Sequence, residues 1–329
     1  MTEHSPQSAP QPASAWKRRA RSLAPWLVAG LAMFWVTHAV HWGDVWRACE
    51  HVPLGWFVGT SLVMLLLNCA ADTLAMYYTF GWFGCHVPYR ELFVIRGATY
   101  LVAVVQYYVG QAAILGFLRS RKGVPLWRGA GWILFVSAIN MGVLILIAAA
   151  GLARAQIDIK WLKMVPAVVA VTVVGYAILL RIKPAFLTRV QMLAPIFEMG
   201  ITGHIKATIV RIPHVLVLIL WHYLSLRWFG VRVPVITALV YLPAVFFFAA
   251  LPVSVQGLGL SQWAAVTFFV AYSDSGKPAV LAYSLAMTAV SLVIQVSMGV
   301  VFLRAAQRLG MREQPPVDAA QGVAPVAAG

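Results

Sequence analysis

The residues able to do chemistry in this sequence are the polar side chains that interrupt otherwise apolar stretches. Between residues 89 and 118 an apolar run is broken by Arg96, Tyr100, Gln106, Tyr107, Tyr108 and Gln111. Arginine makes paired hydrogen bonds to phosphate, and tyrosine hydroxyls and glutamine amides can hold phosphate or sugar oxygens. The set predicts a binding surface for a polar headgroup; the competing reading is that Arg96 snorkels to a membrane interface. Asp72 is the acidic residue deep in an apolar run, with Asn68 one turn before it. A carboxylate there must be paired or protonated, so Arg96 and Arg211 are its candidate charge partners, and a proton relay involving Asp72, Arg211 and His214 is the alternative. Arg211 and His214 also open the apolar run 207–226, where snorkelling is the simpler reading. Arg119, Arg121, Lys122 and Arg128 follow the first polar-interrupted run directly and form a headgroup or interface cluster, each adding about 1 kcal/mol of attraction near an anionic leaflet. Asn140 is expected to hydrogen-bond between helices.

Metal and redox chemistry find little support. Cys49, Cys69 and Cys85 lack C-x-x-C spacing. His38 and His41 share a helical face near Asp44, too sparse a set to predict a metal, and no cofactor is predicted.

These residues need a scaffold, and composition names its class. The chain is 61% hydrophobic and 11% charged over 329 residues, with mean hydropathy +0.80. Soluble domains run about 45–50% apolar and about 25% charged, so the chain reads as an all-α polytopic membrane protein. A nucleic-acid partner is excluded as a primary reading, although Lys and Arg number 25 against 10 Asp and Glu, because basic loops of membrane proteins meet anionic headgroups. Six apolar runs, 22–40, 54–81, 129–151, 164–180, 207–226 and 279–303, predict about six full spans. The first, preceded by Lys17, Arg18, Arg19 and Arg21, reads as an uncleaved helix with its N-terminus in the cytoplasm. Residues 1–16 and 313–329 read as disordered cytoplasmic tails, leaving one transmembrane domain over 17–312.

Two regions, about 89–118 and 234–272, are apolar but split. If each is a hairpin that returns to its own side, most Lys and Arg fall in the cytoplasm; if each crosses once, the two sides nearly balance. The positive-inside rule therefore selects two broken helical hairpins of opposite orientation, whose halves either stop midway as re-entrant segments or cross fully; such a pattern marks a transporter's midplane site. The stretch 185–204 is expected to be an interfacial helix bent at Pro195, or a plain loop.

The split in the second region reads Leu251-Pro252-Val-Ser254-Val-Gln256-Gly257-Leu-Gly259-Leu-Ser261-Gln262. It resembles the Pro-x-x-x-Gly-Gly-Leu-Gly-x-x-Glu signature of the flippase-like family named after the transmembrane region of lysylphosphatidylglycerol synthases. The first hairpin is similar too, in Gly110-Gln111-Ala-Ala, Leu118-Arg119 and Gly123-Val-Pro125. Gln256 replaces a glycine, and Ser261 and Gln262 stand where Arg and Glu are usual, so the family's charged pair is missing. The resemblance implies a lipid or lipid-linked precursor translocase of the inner membrane, binding an amphiphile with a polar, anionic head. Pro252, Ser254, Gln256, Gly257, Gly259, Ser261 and Gln262 would form the second wall of the site.

The alternative is a non-catalytic membrane subunit working with a partner enzyme of lipid or envelope synthesis. An integral-membrane lipid-modifying enzyme is a third reading, for which the sequence offers no catalytic constellation and no soluble transferase domain.

Overall fold

A computed structural model describes residues 42–104, 107–154, 164–250 and 259–312, with the backbone alone at residues 42, 107, 108 and 307–312. The chain is an all-α, multi-pass membrane protein. Its described helices are α1 (Trp42–Glu50), α2 (Leu54–Trp82), α3 (Tyr89–Ala103), α4 (Tyr107–Lys122), α5 (Leu126–Leu152), α6 (Val165–Ile182), α7 (Ala185–Thr188), α8 (Ala194–Trp228), α9 (Val235–Ala250), α10 (Leu260–Phe269) and α11 (Lys277–Arg312). Five of them, α2, α5, α6, α8 and α11, are long and apolar enough to cross a bilayer. The predicted first span, 22–40, and both predicted tails lie outside the described residues, as do His38 and His41.

The two split regions are hairpins of short helices. At about 1.5 Å per residue, α3, α4 and α9 reach about 22–24 Å and α10 about 15 Å, all below the roughly 30 Å of a hydrocarbon core. Each hairpin also closes on itself at its base. Lys122 at the end of α4 lies 3.5 Å from Glu91 at the start of α3. Arg232, before α9, donates its backbone N–H to the Tyr272 carbonyl after α10 at 2.8 Å, beside a bridge between Val231 and Ser273. Near the first tip the helices touch so closely that a Cβ on Gly110 would sit 2.8 Å from the Ala103 Cβ.

The bases lie at opposite ends of the bundle because α2 and α8 are antiparallel. Phe57 packs on Trp228 and Phe229, Trp221 donates to Ser61 at 3.1 Å, and His214 Nδ1 reaches the Asn68 carbonyl at 3.3 Å. The first hairpin follows the end of α2, and the second follows the end of α8. Helix ends are sharp at these junctions. Gly123 (φ 65°) ends α4 and Gly230 (φ 74°) ends α8, each followed by a bond from the next N–H back to a carbonyl in the last turn, Val124 to Leu118 and Val231 to Leu226. Left-handed backbone at that position favours glycine.

α11 measures how deep the tips reach. Gly97 sits on the Phe302 ring and Gly299 on Leu101, so α3 runs antiparallel to the last part of α11. Gln262 at the start of α10 bonds to Thr288, about 17 Å from the first residue of α11. Both tips therefore face the middle of α11. Small residues permit such contacts where no water drives helices together. Replacing Gly299 by Val puts a Cβ within 2.6–2.9 Å of Leu101 main-chain and Cβ atoms. It is expected to cost about 1–3 kcal/mol, read as a lower thermal midpoint in detergent.

Two expectations change. The stretch 185–204 is not a single interfacial helix: α7 is one turn, and from Ala194 the chain is already in α8. Pro195 lies in the first turn of α8, where proline is tolerated, and the break comes at Gly200 (φ 54°) instead. Asn140 does not complete the interhelical bond expected of its side-chain oxygen, which is buried without a partner among the described residues. Nothing nearby explains this.

Candidate functional site

Three helices bring one carboxylate between two guanidiniums. Asp72 lies on α2, about ten residues, or roughly 15 Å, from the end where the first hairpin begins. Arg96, two turns into α3, donates Nε to Asp72 Oδ2 at 2.5 Å. Arg211 on α8 donates to Asp72 Oδ1. Relative exposures are 4% for Asp72, 6% for Arg96 and 3% for Arg211, so neither arginine snorkels, contrary to the simpler reading of Arg211. Arg211 is internal because α8 begins well before the apolar run 207–226.

Neutral groups surround this cluster. Arg96 also gives a hydrogen to Thr99 Oγ1 (3.4 Å), whose own hydroxyl donates to the Arg96 carbonyl (2.8 Å). The Arg96 guanidinium stands 5.1 Å from the centre of the Tyr100 ring, a cation–π distance. The Tyr100 hydroxyl and Asn68 Oδ1 are buried with no hydrogen-bond partner among the described residues. Buried polar atoms are normally satisfied, and the Asn68 and Tyr100 side chains lie within reach of one another. His214 completes the ring of polar groups through its bond to the Asn68 carbonyl.

The remaining first-hairpin residues are divided. Gln111 is buried on α4, with Oε1 also unpartnered among the described residues. Tyr107 and Tyr108 begin α4, and their side chains lie outside the described residues, as does all of Gln106. In the basic cluster Lys122 faces Glu91, and Arg128 faces Glu198 at 3.1 Å in an exposed pair; Arg119 and Arg121 are exposed at the first hairpin's base.

At the second tip, Pro252, Ser254, Gln256 and Gly257 lie outside the described residues. Gln262 is fully buried. Its Oε1 accepts from the Gly259 N–H (2.6 Å) and the Ser261 hydroxyl (3.1 Å), and its Nε2 donates to Thr288 Oγ1 (3.2 Å). This is the reach-back half of a capping box. It fixes the start of α10 and binds the tip to α11, so the Gln262 amide is spent inside the protein.

Sequence reasoning missed one feature. A groove of about 450 Å³ lies where α2 ends, lined by Tyr77, Tyr78, Gly81, Trp82, His86, Val87 and Pro88. Tyr77 also meets Tyr89 at the base of the first hairpin, ring centres 6.2 Å apart. Amphipathic rings of this kind sit at headgroup level in membranes. The signal in the sequence is the dense aromatic run over residues 77–82. Among the described residues no group of three or more His, Cys, Asp or Glu could hold a metal ion. The chain matches no protein-family model, no curated protein and no solved structure.

Proposed function

We propose that the protein is a flippase-like translocase of the inner membrane, with both termini in the cytoplasm, that moves a lipid or lipid-linked amphiphile with an anionic head between leaflets. The observation that carries this reading is the pair of half-span hairpins, rooted at opposite ends of the bundle, whose tips both face the middle of α11. Paired broken helices near the midplane are how many transporters build a substrate site reached alternately from either side. Supporting it are the buried Arg96 and Gln111 on the first hairpin and the aromatic groove beside its base. The residues Pro252, Gly257, Leu258 and Gly259, which match the lysylphosphatidylglycerol-synthase flippase-like signature, add to it.

The test is leaflet exchange of a fluorescent phosphatidylglycerol in vesicles carrying the purified protein. An Arg96→Ala, Gln111→Ala double variant leaves Asp72 and Arg211 paired one to one, so it is expected to fold and to exchange lipid no faster than protein-free vesicles. Exchange at the unsubstituted rate would remove these two residues from the site.

A second reading, a membrane subunit serving a partner enzyme, draws on α6. Leu180 is its one buried residue and Tyr176 reaches His204 on α8 at 2.9 Å, which leaves most of the helix for lipid or another protein. Co-purification of one stoichiometric partner in mild detergent, lost on Val171→Arg, would favour it.

A further inference from the structure

We propose that the groove at the end of α2 holds the sugar ring of a glycosylated lipid, stacked on the aromatic wall of Tyr78 and Trp82. This deepens the translocase reading and rests on it only in making that lipid the cargo. The groove is built before any ligand arrives. Gly84 takes left-handed backbone (φ 82°) just after α2, and the Cys85 N–H returns to the Phe80 carbonyl at 2.9 Å. That turn, anchored by the buried Cys85 and Val87, carries His86 and Pro88 back beside the last turns of α2. Tyr77 is braced by Tyr89, whose hydroxyl donates to the Ala70 carbonyl at 3.0 Å and whose ring stacks on Phe93. The Tyr78 and Trp82 rings stack on one another at 29°. Gly81 leaves open space in the lining: a Cβ there would meet nothing within 4 Å.

Size, surface and charge narrow the occupant. A volume of about 450 Å³ suits a small-molecule head. Tyr77, Tyr78 and Trp82 remain 37–43% exposed. Aromatic faces are the negative side of a quadrupole, and the axial C–H groups of a hexose present weakly positive hydrogens on one flat side. Two phenol hydroxyls and the His86 imidazole offer donors and acceptors to the ring's hydroxyls. An acyl chain would use the faces and leave those polar groups idle. A quaternary ammonium also seeks aromatic faces, but among the described residues no carboxylate lines the groove. The adjoining hairpin base is basic, with Arg90 and Arg119 exposed and Glu91 already facing Lys122. That surround repels a cation and accepts a sugar, whether neutral or joined to its lipid through phosphate. Position supplies the source: amphipathic rings at the end of a span lie at headgroup level, where the sugar of a lipid is held and a free sugar is dilute.

The test is native mass spectrometry of the full chain, in a detergent whose head is not a sugar, titrated with glucosyl-diacylglycerol. Diacylglycerol, phosphatidylcholine and free glucose are the comparisons. The unsubstituted protein is expected to bind the glucosyl lipid about tenfold or more tightly than any of the three. Trp82→Ala removes part of the wall and should weaken that binding about tenfold or more, whereas Trp82→Phe keeps a ring and should retain most of it. Gly81→Leu fills the groove. Glycine is a poor helix former, so this variant should match or exceed the parent's thermal midpoint while losing the glucosyl lipid.

Equal binding of glucosyl-diacylglycerol and diacylglycerol, a preference for phosphatidylcholine, or undiminished glucosyl-lipid binding by Trp82→Ala and Gly81→Leu would overturn the proposal. Free glucose bound as tightly as the glucosyl lipid would overturn it too, because the groove would then serve a soluble sugar. Should Gly81→Leu fold poorly, the contrast between Trp82→Ala and Trp82→Phe decides alone. The assay involves no transport. A protein that selects the sugar but exchanges no lipid therefore fails the translocase reading alone, and one that exchanges lipid but ignores the sugar fails this proposal alone.

Discussion

Asp72→Asn is expected to cost the folded protein about 3–5 kcal/mol, the penalty for stranding buried charge. The substitution leaves shape intact and removes the negative charge between Arg96 and Arg211, which are 6% and 3% exposed. Two guanidiniums then face one another in a region where neither reaches water. The measurement is the thermal midpoint in detergent together with the yield of folded protein after extraction. Arg96→Met and Arg211→Met each leave a one-to-one pair and should be far milder. A network in which every member mattered equally would show three similar losses. The asymmetry, with the lone carboxylate as the costly member, follows from charge count alone.

The second large effect is expected at the tip of the other hairpin. Gln262→Leu preserves apolar volume but leaves the Gly259 N–H without its acceptor and Thr288 without the amide that donates to it. Each buried group left unsatisfied costs about 1–3 kcal/mol, so the variant should lose stability, and the start of α10 should exchange its amide hydrogens faster. Gln262→Glu keeps an acceptor for Gly259 but loses the donor toward Thr288, whose own hydroxyl hydrogen is committed to the Ser284 carbonyl at 2.9 Å. It should fall between the parent and Gln262→Leu. The missing acidic residue of the resembled signature is thus matched by its neighbours: Thr288 accepts what an amide offers and a carboxylate does not.

Much of this architecture was legible in the sequence because membranes impose few, strong constraints. Length and apolarity revealed α2, α5, α6, α8 and α11. The two hairpins were legible from charge placement, since only a return to the same side gathers the basic residues. Asp72 announced the need for a partner by its isolation, and both candidate partners prove to hold it at once. Of the two readings open for Arg211, partner of Asp72 or snorkelling residue, the structure selects the first for a definite reason. The apolar run was started at residue 207, whereas α8 begins at Ala194 and Gly200 bends it without ending it, which carries Arg211 to the interior. The Gln262 cap was readable in principle, because Gly259 and Gln262 stand at capping-box spacing. As part of the motif, the same residue is expected in the wall of a binding site instead.

The charge cluster also carries an order in time. Synthesis runs from the N-terminus, so Asp72 meets Arg96, 24 residues later, long before Arg211, 139 residues later, exists. The nascent α2 and first hairpin can leave the translocon as a neutral pair, which spares the short helix α3 from inserting an arginine alone. Arg211 reaches the same carboxylate only when α8 arrives. The two bonds to Asp72 thus divide by order of synthesis: the first can form within the N-terminal part of the chain, and the second closes α8 onto α2.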